Sequence, residues 1–413
     1  MGGDVIRESA EAGRVVLWEE SARDGAQAKT LMPAEFRVRL AREQGRLFGS
    51  AGPRHVVFAA GFPAVCGEEF EAVRRVAAEA EGAVSVAAVC RAGSADVRQA
   101  LAAVRGSAHA RIMIVVPASE AMARVMTHRA AREALEAGVA LVKEARDLDD
   151  EVAADLCFAD ASRADHGLTA EYAAAATAAG AGTIVLADTV GRQLPGEAAA
   201  MFGAVRAGAG PGTVLASHLH NDLGLGLANT LEALRAGVRV VSASWLGIAE
   251  RSGMVATEQL LFLLAHDPRP AAAILGADAE PWWQAPDLTR LPGIARMVSE
   301  QTGVPLTVTT PIVGSGVATI STGTPFVHPG LFQPFDPART LGVEPTVVLT
   351  QLASARVVTA VAARLGHRLE DAQARAAMRW VKQLAFRSGR AVVPDAVFAG
   401  YLDGLRDAAE GTP

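Results

Sequence analysis

The chain has 413 residues, of which 50% are hydrophobic and 20% are charged. This length exceeds what one ordinary hydrophobic core holds, so we expect one large domain and a smaller one. The formal net charge of −6 excludes a general nucleic-acid binder, because no dense set of cations is available to contact phosphates.

The N-terminal residues 1–13 lack the apolar core of a signal peptide, and no apolar run reaches the length of a membrane span. The three cysteines, Cys66, Cys90 and Cys157, are odd in number and show no metal-binding or redox spacing. Free cysteines of this kind suit a reducing compartment. We therefore expect a soluble, cytoplasmic protein that has neither a membrane partner nor a nucleic-acid partner.

Eight short apolar runs, rich in β-branched residues, recur through the first two thirds of the chain. Near-continuous apolar runs of this length are typical of parallel strands that are covered on both faces. In chain order they are VVLWEES from residue 15, HVVFAAGFP from 55, AVSVAAVCR from 83, RIMIVVP from 111, EVAADLCFAD from 151, GTIVLADTVG from 182, TVLASHLHND from 213 and VVSASWLGI from 240.

Ala-rich stretches with helical spacing separate these runs. In residues 67–82, Phe70, Val73 and Val76 lie on one stripe, and Gly82 ends the pattern as a helix stop. Eight alternations of strand and helix over about 250 residues match the size of a (β/α)8 TIM barrel, an α/β fold. An open doubly wound sheet is the alternative, but no glycine-rich phosphate turn follows the first run.

The pattern changes after Asp267. Residues 268–283 are predicted to be linker, residues 287–302 a helix, and the Gly-, Thr- and Pro-rich segment 308–330 a loop. The tail is again helical, so a mostly helical C-terminal region follows the barrel. The predicted organisation is a TIM-barrel catalytic domain, a linker with a connecting subdomain, and a helical C-terminal subdomain, over residues 1–268, 269–345 and 346–413.

Two histidines in the seventh run indicate a metal site. His218 and His220 are two residues apart in a predicted strand, so both side chains face the same side. Asp24 follows the first run, and functional groups collect at this end of the strands in a barrel. One carboxylate with two imidazoles suits a divalent metal. A lone histidine would more often be a core residue, whereas this pair, followed by Asn221 and Asp222, favours a metal.

Further charged residues follow other predicted strands. Three of them are Arg91, Arg163 and Arg192. They are either solvated loop charges or cations that converge on an anionic substrate. Their position at one rim favours the second alternative. Asp188 either caps the following helix or contributes to the site. Glu250 either forms a structural ion pair with its neighbour or contacts the substrate.

Five segments match known motifs in the same order. They are ESARDGAQ at 20–27, GFPAVCGEEFEAVRRVA at 61–77, ADTVG at 187–191, HLHNDLGLGLANTLEALRAG at 218–237 and GIAERSG at 247–253. These resemble DTTLRDGEQ, a GFP…DFE segment, DTVG, HxHNDxGLAxAN and GxGERxG of the acyl-CoA-dependent, DRE-type TIM-barrel synthases and lyases. That superfamily includes isopropylmalate, citramalate and homocitrate synthases and hydroxymethylglutaryl-CoA lyase.

The resemblance implies a metal-dependent Claisen condensation of acetyl-CoA with a 2-oxo acid. Asp24, His218 and His220 would hold a divalent cation (Mg²⁺, Mn²⁺ or Zn²⁺) that polarises the keto group. Arg23 would stabilise the alkoxide that forms, and Thr189 would bind the substrate carboxylate. The resemblance also implies a homodimer in which the tail of one subunit covers the barrel mouth of the other.

The chain departs from these motifs at several positions. Met254 stands where the isopropylmalate group has an asparagine, and Ala159 stands where the family has a glutamate. Pro325 lies near the expected histidine, so His328 is either the general base in its place or a surface residue. Glu250 is a further candidate catalytic residue.

Arg192 occupies a position after DTVG that is usually uncharged or tyrosine. An added cation favours an acid with a second negative group, such as oxaloacetate, 2-oxoglutarate or phosphonopyruvate. We predict an acyltransferase of the homocitrate or phosphonomethylmalate synthase type. The alternatives are a lyase or aldolase that cleaves a carbon–carbon bond at the same metal, and a non-catalytic metal-binding relative. LFQPFDP at 331–337 resembles a synthase segment that short lyases lack.

Overall fold

The structure, a computed structural model, describes residues 3–410. The chain divides into two units, Met1–Pro305 and Leu306–Pro413. All eight predicted strands lie in the first unit. The three-part organisation inferred from the sequence, with boundaries after residues 268 and 345, stays a prediction.

Eight parallel strands close into a barrel in chain order, and the first strand pairs with the eighth. Nearly all of their residues are buried, as continuous apolar runs predict for strands covered on both faces. The predicted TIM barrel is therefore confirmed. The strands are β1 Val16–Glu19, β2 Val56–Gly61, β3 Ser85–Arg91, β4 Arg111–Pro117, β5 Ala153–Ala159, β6 Ala181–Asp188, β7 Leu215–Leu219 and β8 Val240–Ala243.

Helices connect the strands, and a further helix before β1 packs against the interior cluster through Val5, Ile6 and Ala10. In the first unit they are α1 Val5–Glu11, α2 Asp24–Gln27, α3 Ala34–Leu47, α4 Gly52–His55, α5 Gly67–Glu79, α6 Ser94–Val104, α7 Glu120–Thr127, α8 Ala131–Leu148, α9 His166–Ala178, α10 Pro195–Ala209, α11 Gly226–Arg235, α12 Thr257–Ala265, α13 Pro268–Leu275 and α14 Leu291–Thr302. Across residues 3–410, the structure contains no helix of the length and apolar character that a membrane span requires.

A packed core fills the barrel interior. Trp18 of β1 is 1% exposed and is the largest side chain in the buried cluster. The cluster also contains the small residues Ala59, Ala87, Ala187 and Ala216 from four other strands. Large and small side chains from different strands thus complement one another, so the barrel is a core and not a channel.

A buried ionic network lies at the N-terminal end of the strands. Arg111, the first residue of β4, is 1% exposed and donates to the two oxygens of Asp155 at 2.9 and 2.6 Å. It also donates to Asp4, the N-cap of α1, and Thr183 donates to Asp155 from its amide and its hydroxyl. A cavity of about 750 Å³ is lined by Asp4 and Arg111. This face usually serves stability in TIM barrels, because their chemistry occurs at the other end.

The linker predicted for residues 268–283 contains helix α13, so that part of the prediction is wrong. The Asp267 side chain accepts a hydrogen bond from the Arg269 amide and caps the helix. Pro268 occupies the first helical position, where a missing N–H breaks no hydrogen bond. The prolines therefore begin this helix instead of preventing it.

The second unit is mostly helical, which confirms the helical C-terminal region. Its core contains Val357, Val361, Val381 and Phe398, and the rings of Trp380 and Tyr401 stack with centroids 4.1 Å apart. Strand β9 pairs with β10 in parallel, and β11 pairs with β12 antiparallel, when numbered along the chain. The elements are β9 Thr319–Ile320, α15 Gly323–Val327, α16 Pro337–Leu341, β10 Thr346–Val347, β11 Leu349–Thr350, α17 Ala355–Arg364, α18 Asp371–Ser388, β12 Val392–Val393 and α19 Asp395–Glu410.

Glu258, the second residue of α12, is a fully buried carboxyl group. Its Oε2 accepts a hydrogen bond from the Leu246 amide at 3.1 Å, whereas its Oε1 has no hydrogen-bond partner in the described part of the chain. Burial raises the pKa of Glu258 to about 7. The carboxyl group therefore keeps its proton in the folded state at a pH where an unfolded chain has lost it.

Replacing Glu258 should stabilise the fold in a pH-dependent way. Between the unfolded pKa and the folded pKa of about 7, the native state binds more protons, so wild-type stability falls as pH rises. Glu258→Gln avoids this loss, which is about 1.4 kcal/mol per pH unit. Urea unfolding should show a gain at about pH 8 and little gain at about pH 4. The exposed Glu136→Gln in α8 serves as the control, and a pH-independent gain for Glu258→Gln would contradict the prediction.

Candidate metal centre

The end of β1 forms a tight turn that carries three charged side chains. The carbonyl oxygen of Glu20 accepts hydrogen bonds from the amides of Arg23, Asp24 and Gly25, at 3.0, 2.8 and 3.1 Å. The chain thereby turns directly from β1 into the short helix α2. Arg23 and Asp24 therefore lie at the C-terminal end of the barrel strands, where TIM-barrel active sites occur.

Strand β7 supplies the two histidines. His218 lies within β7 and His220 directly follows it, and their ring centroids are 5.2 Å apart. The His220 amide donates to the Asp188 carbonyl at 3.3 Å, and His220 forms an isolated β-bridge with Met254. Backbone from the end of β6 and from the loop after β8 therefore fixes the position of His220.

The structure brings Asp24 and both histidines together. Asp24 Oδ2 lies 3.2 Å from His218 Nε2 and 3.8 Å from His220 Nε2. The three residues are at most 5% exposed, and their candidate ligand atoms all lie within 4.8 Å of one another. The other carboxylate oxygen, Asp24 Oδ1, accepts a hydrogen bond from the Glu250 amide at 2.9 Å.

Burial and neighbouring charges shift the pKa values of the three side chains in this cluster. Burial raises the pKa of Asp24, but Arg23 and His218 outweigh burial and hold that pKa well below its usual range. Burial, reinforced by His218, lowers the pKa of His220 to about 4, so its imidazole is neutral at pH 7. Burial also lowers the pKa of His218, but Asp24 and Glu20 together raise it above its usual value.

The donor set fits a divalent metal ion. Two imidazole nitrogens and one carboxylate oxygen are ligands that such ions accept, and three protein ligands leave positions open for water or substrate. The Nδ1 atoms of His218 and His220 are buried and have no hydrogen-bond partner within residues 3–410. Asp24, His218 and His220 could therefore hold a divalent cation.

Arg23 lies beside the cluster between two carboxylates. Its Nε is 2.8 Å from Glu20 Oε2, and its Nη1 is 3.3 Å from Asp24 Oδ2. Burial raises the pKa of Glu20, but Arg23 and His218 outweigh burial and lower that pKa below its usual value. A fully buried, ionised Glu20 therefore holds the guanidinium group in place.

Arg251 joins the loops that follow three neighbouring strands. Its guanidinium group donates to the two oxygens of Asp222 at 2.9 and 3.0 Å and to the Thr189 carbonyl at 2.5 Å. Its Nη1 also lies 3.1 Å from the Glu250 carboxylate. The Thr189 hydroxyl accepts a hydrogen bond from the Asp160 amide at 2.8 Å. These contacts order the rim on one side of the cluster.

The other two predicted catalytic residues are Glu250 and His328, and unlike Arg23 neither is described with its side chain against Asp24. Glu250 reaches Asp24 with its amide, while its carboxylate is 43% exposed and pairs with Arg251. His328 lies in the second unit, directly after α15, and is exposed. Their catalytic roles stay predictions.

The predicted substrate-binding arginines differ in how they are paired. Arg91 Nε lies 2.7 Å from Asp96, and Arg163 Nε lies 2.7 Å from Asp160. Arg192 is exposed and forms no ion pair or hydrogen bond with any residue that the structure describes. Its charge therefore remains available at the rim.

Two residues of this region carry contacts that the sequence analysis does not assign. Glu20 contacts Arg23 and lies 3.4 Å from His218, and Arg251 bridges the loops. A glutamate directly after a buried strand, three residues before an arginine, is the signal that could have indicated Glu20. Arg251 lies in the GIAERSG segment, but its partners Asp222 and Thr189 come from other loops, so the sequence does not indicate those contacts.

Comparison with known proteins agrees with this geometry. The profile of the HMGL-like family matches residues 14–298, a range that contains all eight strands and the Asp24–His218–His220 cluster. The chain belongs to the HMGL-like family. The superfamily resemblance that the sequence motifs indicate is thereby confirmed.

The most similar curated proteins include two synthases. The chain is 31% identical over 308 residues to 2-isopropylmalate synthase of Nitrobacter winogradskyi, which is 74% of this chain and 56% of that protein. It is 30% identical over 321 residues to 2-isopropylmalate synthase of Neisseria gonorrhoeae, and this match covers 76% of this chain and 50% of that protein. The chain thus spans about half the length of the curated relatives it matches.

Among solved structures, the chain is similar to the HMG-CoA lyase of Brucella melitensis. The TM-score is 0.55 at 22% sequence identity, and the match covers 70% of this chain and 99% of the lyase. The HMG-CoA lyase of Bacillus subtilis gives a TM-score of 0.56 at 20% sequence identity, and the match covers 71% of this chain and 95% of that lyase. At these identities the likeness shows the fold alone.

Loss of the shared carboxylate should remove cation binding. Asp24→Asn keeps the size of the side chain but loses the charge that faces both imidazoles. We expect Mn²⁺ affinity, measured by calorimetry on the chelator-treated protein, to fall by more than the roughly 10–100-fold caused by losing an outer hydrogen-bond partner. Asp96→Asn, which removes the partner of the exposed Arg91, should bind Mn²⁺ like the wild type. Unchanged affinity in Asp24→Asn would contradict the metal centre.

Proposed function

We propose that the protein condenses acetyl-CoA with an anionic 2-oxo acid and releases free CoA, as an acyltransferase. The observation that carries the proposal is the buried Asp24–His218–His220 cluster with Arg23 beside it. Relatives named 2-isopropylmalate synthase support this reaction class. A bond forms between the acetyl methyl carbon and the keto carbon, and hydrolysis of the thioester then yields the 2-hydroxy acid and the CoA thiol.

We propose that Asp24, His218 and His220 hold a divalent cation that would polarise the keto group as a Lewis acid. The two imidazoles favour Mn²⁺ or Zn²⁺ over Mg²⁺, which prefers oxygen ligands. Arg23 would stabilise the negative charge that develops on the keto oxygen. Because Glu20 already orients the guanidinium group, little further ordering is needed during the reaction.

Thr189 is proposed to bind the carboxylate of the 2-oxo acid. Its hydroxyl accepts from the Asp160 amide, so the hydroxyl proton is free to be donated to a substrate oxygen. His328 is proposed as the base that removes a proton from the acetyl methyl group. Glu250 is proposed to act through its amide, which positions Asp24. A homodimer and a cytoplasmic location remain part of the proposal.

Arg192 is proposed to select an acid with a second negative group. The arginine is exposed at the end of the loop after β6, whereas Arg91 and Arg163 are neutralised by aspartates. An unpaired guanidinium group three residues after Thr189 in the same loop favours oxaloacetate, 2-oxoglutarate or phosphonopyruvate over the apolar 2-oxoisovalerate. The substrate class is therefore a dianionic or more highly charged 2-oxo acid.

Release of CoA across a panel of acids tests the reaction. We expect acetyl-CoA with Mn²⁺ to yield free thiol in the presence of at least one of the three charged acids. Asp24→Asn should abolish the release, because it disrupts the ligand set. No thiol with any acid would contradict the synthase. Cleavage of hydroxymethylglutaryl-CoA instead would indicate a lyase, and metal binding without either reaction would indicate a non-catalytic relative.

Substitution of Arg192 tests the choice of substrate. Arg192→Met should raise the KM for the preferred charged acid by roughly 10–100-fold, the effect of losing one charge-assisted hydrogen bond. Arg91→Met is the matched control, because Asp96 already neutralises that arginine. An equal change in both variants, or no change in Arg192→Met, would contradict a role in selectivity.

A further inference from the structure

Glu20 contacts both Arg23 and His218, and only its contact with Arg23 has a role in the proposed function. One of its oxygens, Oε2, lies 2.8 Å from Arg23 Nε, and the other, Oε1, lies 3.4 Å from His218 Nδ1. The side chain is fully buried, so water does not compete for either oxygen. A single carboxylate therefore contacts both the arginine and one of the candidate metal ligands.

The contact between Glu20 and His218 brings together two buried atoms, Oε1 of Glu20 and Nδ1 of His218. Among the described residues, neither Glu20 Oε1 nor His218 Nδ1 has any hydrogen-bond partner other than the opposing atom, although both atoms are buried. An unpaired buried polar atom is costly, and these two atoms are complementary when the imidazole carries its proton on Nδ1. The opposite ring nitrogen, Nε2, faces Asp24 at 3.2 Å.

We propose that Glu20 is a positioning residue with two contacts. One oxygen fixes the His218 imidazole as the Nδ1–H form, so that Nε2 presents its lone pair to a divalent cation. The other oxygen orients Arg23. Metal-ligating histidines commonly donate their second N–H to a carboxylate, which fixes the ring and strengthens the ligand. The inference rests on the metal centre of the proposed function. It adds that the cation ligand and the arginine are positioned by one residue.

A glutamine cannot replace this carboxylate. Glu20 offers one acceptor oxygen to each of two donors, the Arg23 Nε–H and the His218 Nδ1–H. Glutamine has nearly the same shape but only one acceptor oxygen, and its NH₂ group would face one of the donors. Glu20→Gln must therefore lose at least one of the two contacts without leaving a cavity.

The neighbouring Glu19 provides a matched control. Glu19 is also fully buried, but its Oε1 accepts hydrogen bonds from the amide and hydroxyl of Ser21. No hydrogen bond or ion pair joins Glu19 to the candidate ligands in the described chain. Glu19→Gln therefore replaces a buried carboxyl group at the same strand end without touching His218 or Arg23.

Calorimetric titration with Mn²⁺ or Zn²⁺ alone, together with urea unfolding, tests the proposal. We expect Glu20→Gln to weaken cation affinity by roughly 10–100-fold, whereas Glu19→Gln leaves cation affinity unchanged. A folded Glu20→Gln that binds the cation like the wild type would overturn the proposal and leave the metal centre intact. A wild-type protein that binds neither ion would contradict the metal centre and the role of Glu20 together.

A second measurement uses the wild type and does not depend on a folded variant. In the Zn²⁺-loaded protein labelled with ¹⁵N-histidine, long-range ¹H–¹⁵N spectra should show His218 protonated at Nδ1, with that proton protected from solvent exchange. His218→Gln assigns the signal. A His218 ring protonated at Nε2, or an Nδ1 proton that exchanges freely, would overturn the role of Glu20.

Discussion

The buried carboxylate of Asp24 is the interaction on which the site depends. Its Oδ1 accepts the Glu250 amide, and its Oδ2 faces His218, His220 and Arg23. A charge that is 1% exposed is tolerated only when such partners surround it. The loops after β1, β7 and β8 must therefore meet at this point, and the positions of the other site residues follow from that requirement.

The barrel supplies rigidity below this point. The packed interior around Trp18 leaves no channel, so buried polar groups lie at the two ends of the strands. His218 is held by the strand itself, and the backbones of Asp188 and Met254 hold His220. At the opposite end, Arg111 forms a buried ionic network with Asp4 and Asp155. The candidate metal centre and this network thus lie at opposite ends of the barrel.

Features with a local cause could be predicted from the sequence. The eight strands follow from continuous apolar runs, and the approach of Asp24 to the histidines follows from side-chain alternation and from the ends of parallel strands. Helix α13 was missed because proline composition indicates a turn, although its prolines occupy the first turn of the helix, where they are tolerated. Composition does not show at which helical position a proline falls.

Contacts between distant loops could not be predicted. Glu250 presents its amide to Asp24 because the loop after β8 turns its carboxylate toward Arg251, and no sequence pattern encodes that direction. The pairing of Arg91 with Asp96 depends on how α6 begins after β3. Tertiary packing sets the direction of each side chain at this end of the barrel. Residue type and spacing in the sequence indicate only which side chains lie at that end.

Anomalous diffraction from crystals grown with Mn²⁺ or Zn²⁺ tests the central claim most directly. Data collected at the absorption edge of the metal should show one strong peak beside Asp24 Oδ2, His218 Nε2 and His220 Nε2, with ligand distances of about 2.0–2.2 Å. A peak bound by other side chains, or the absence of any peak at these three residues, would contradict a metal centre at this end of the barrel.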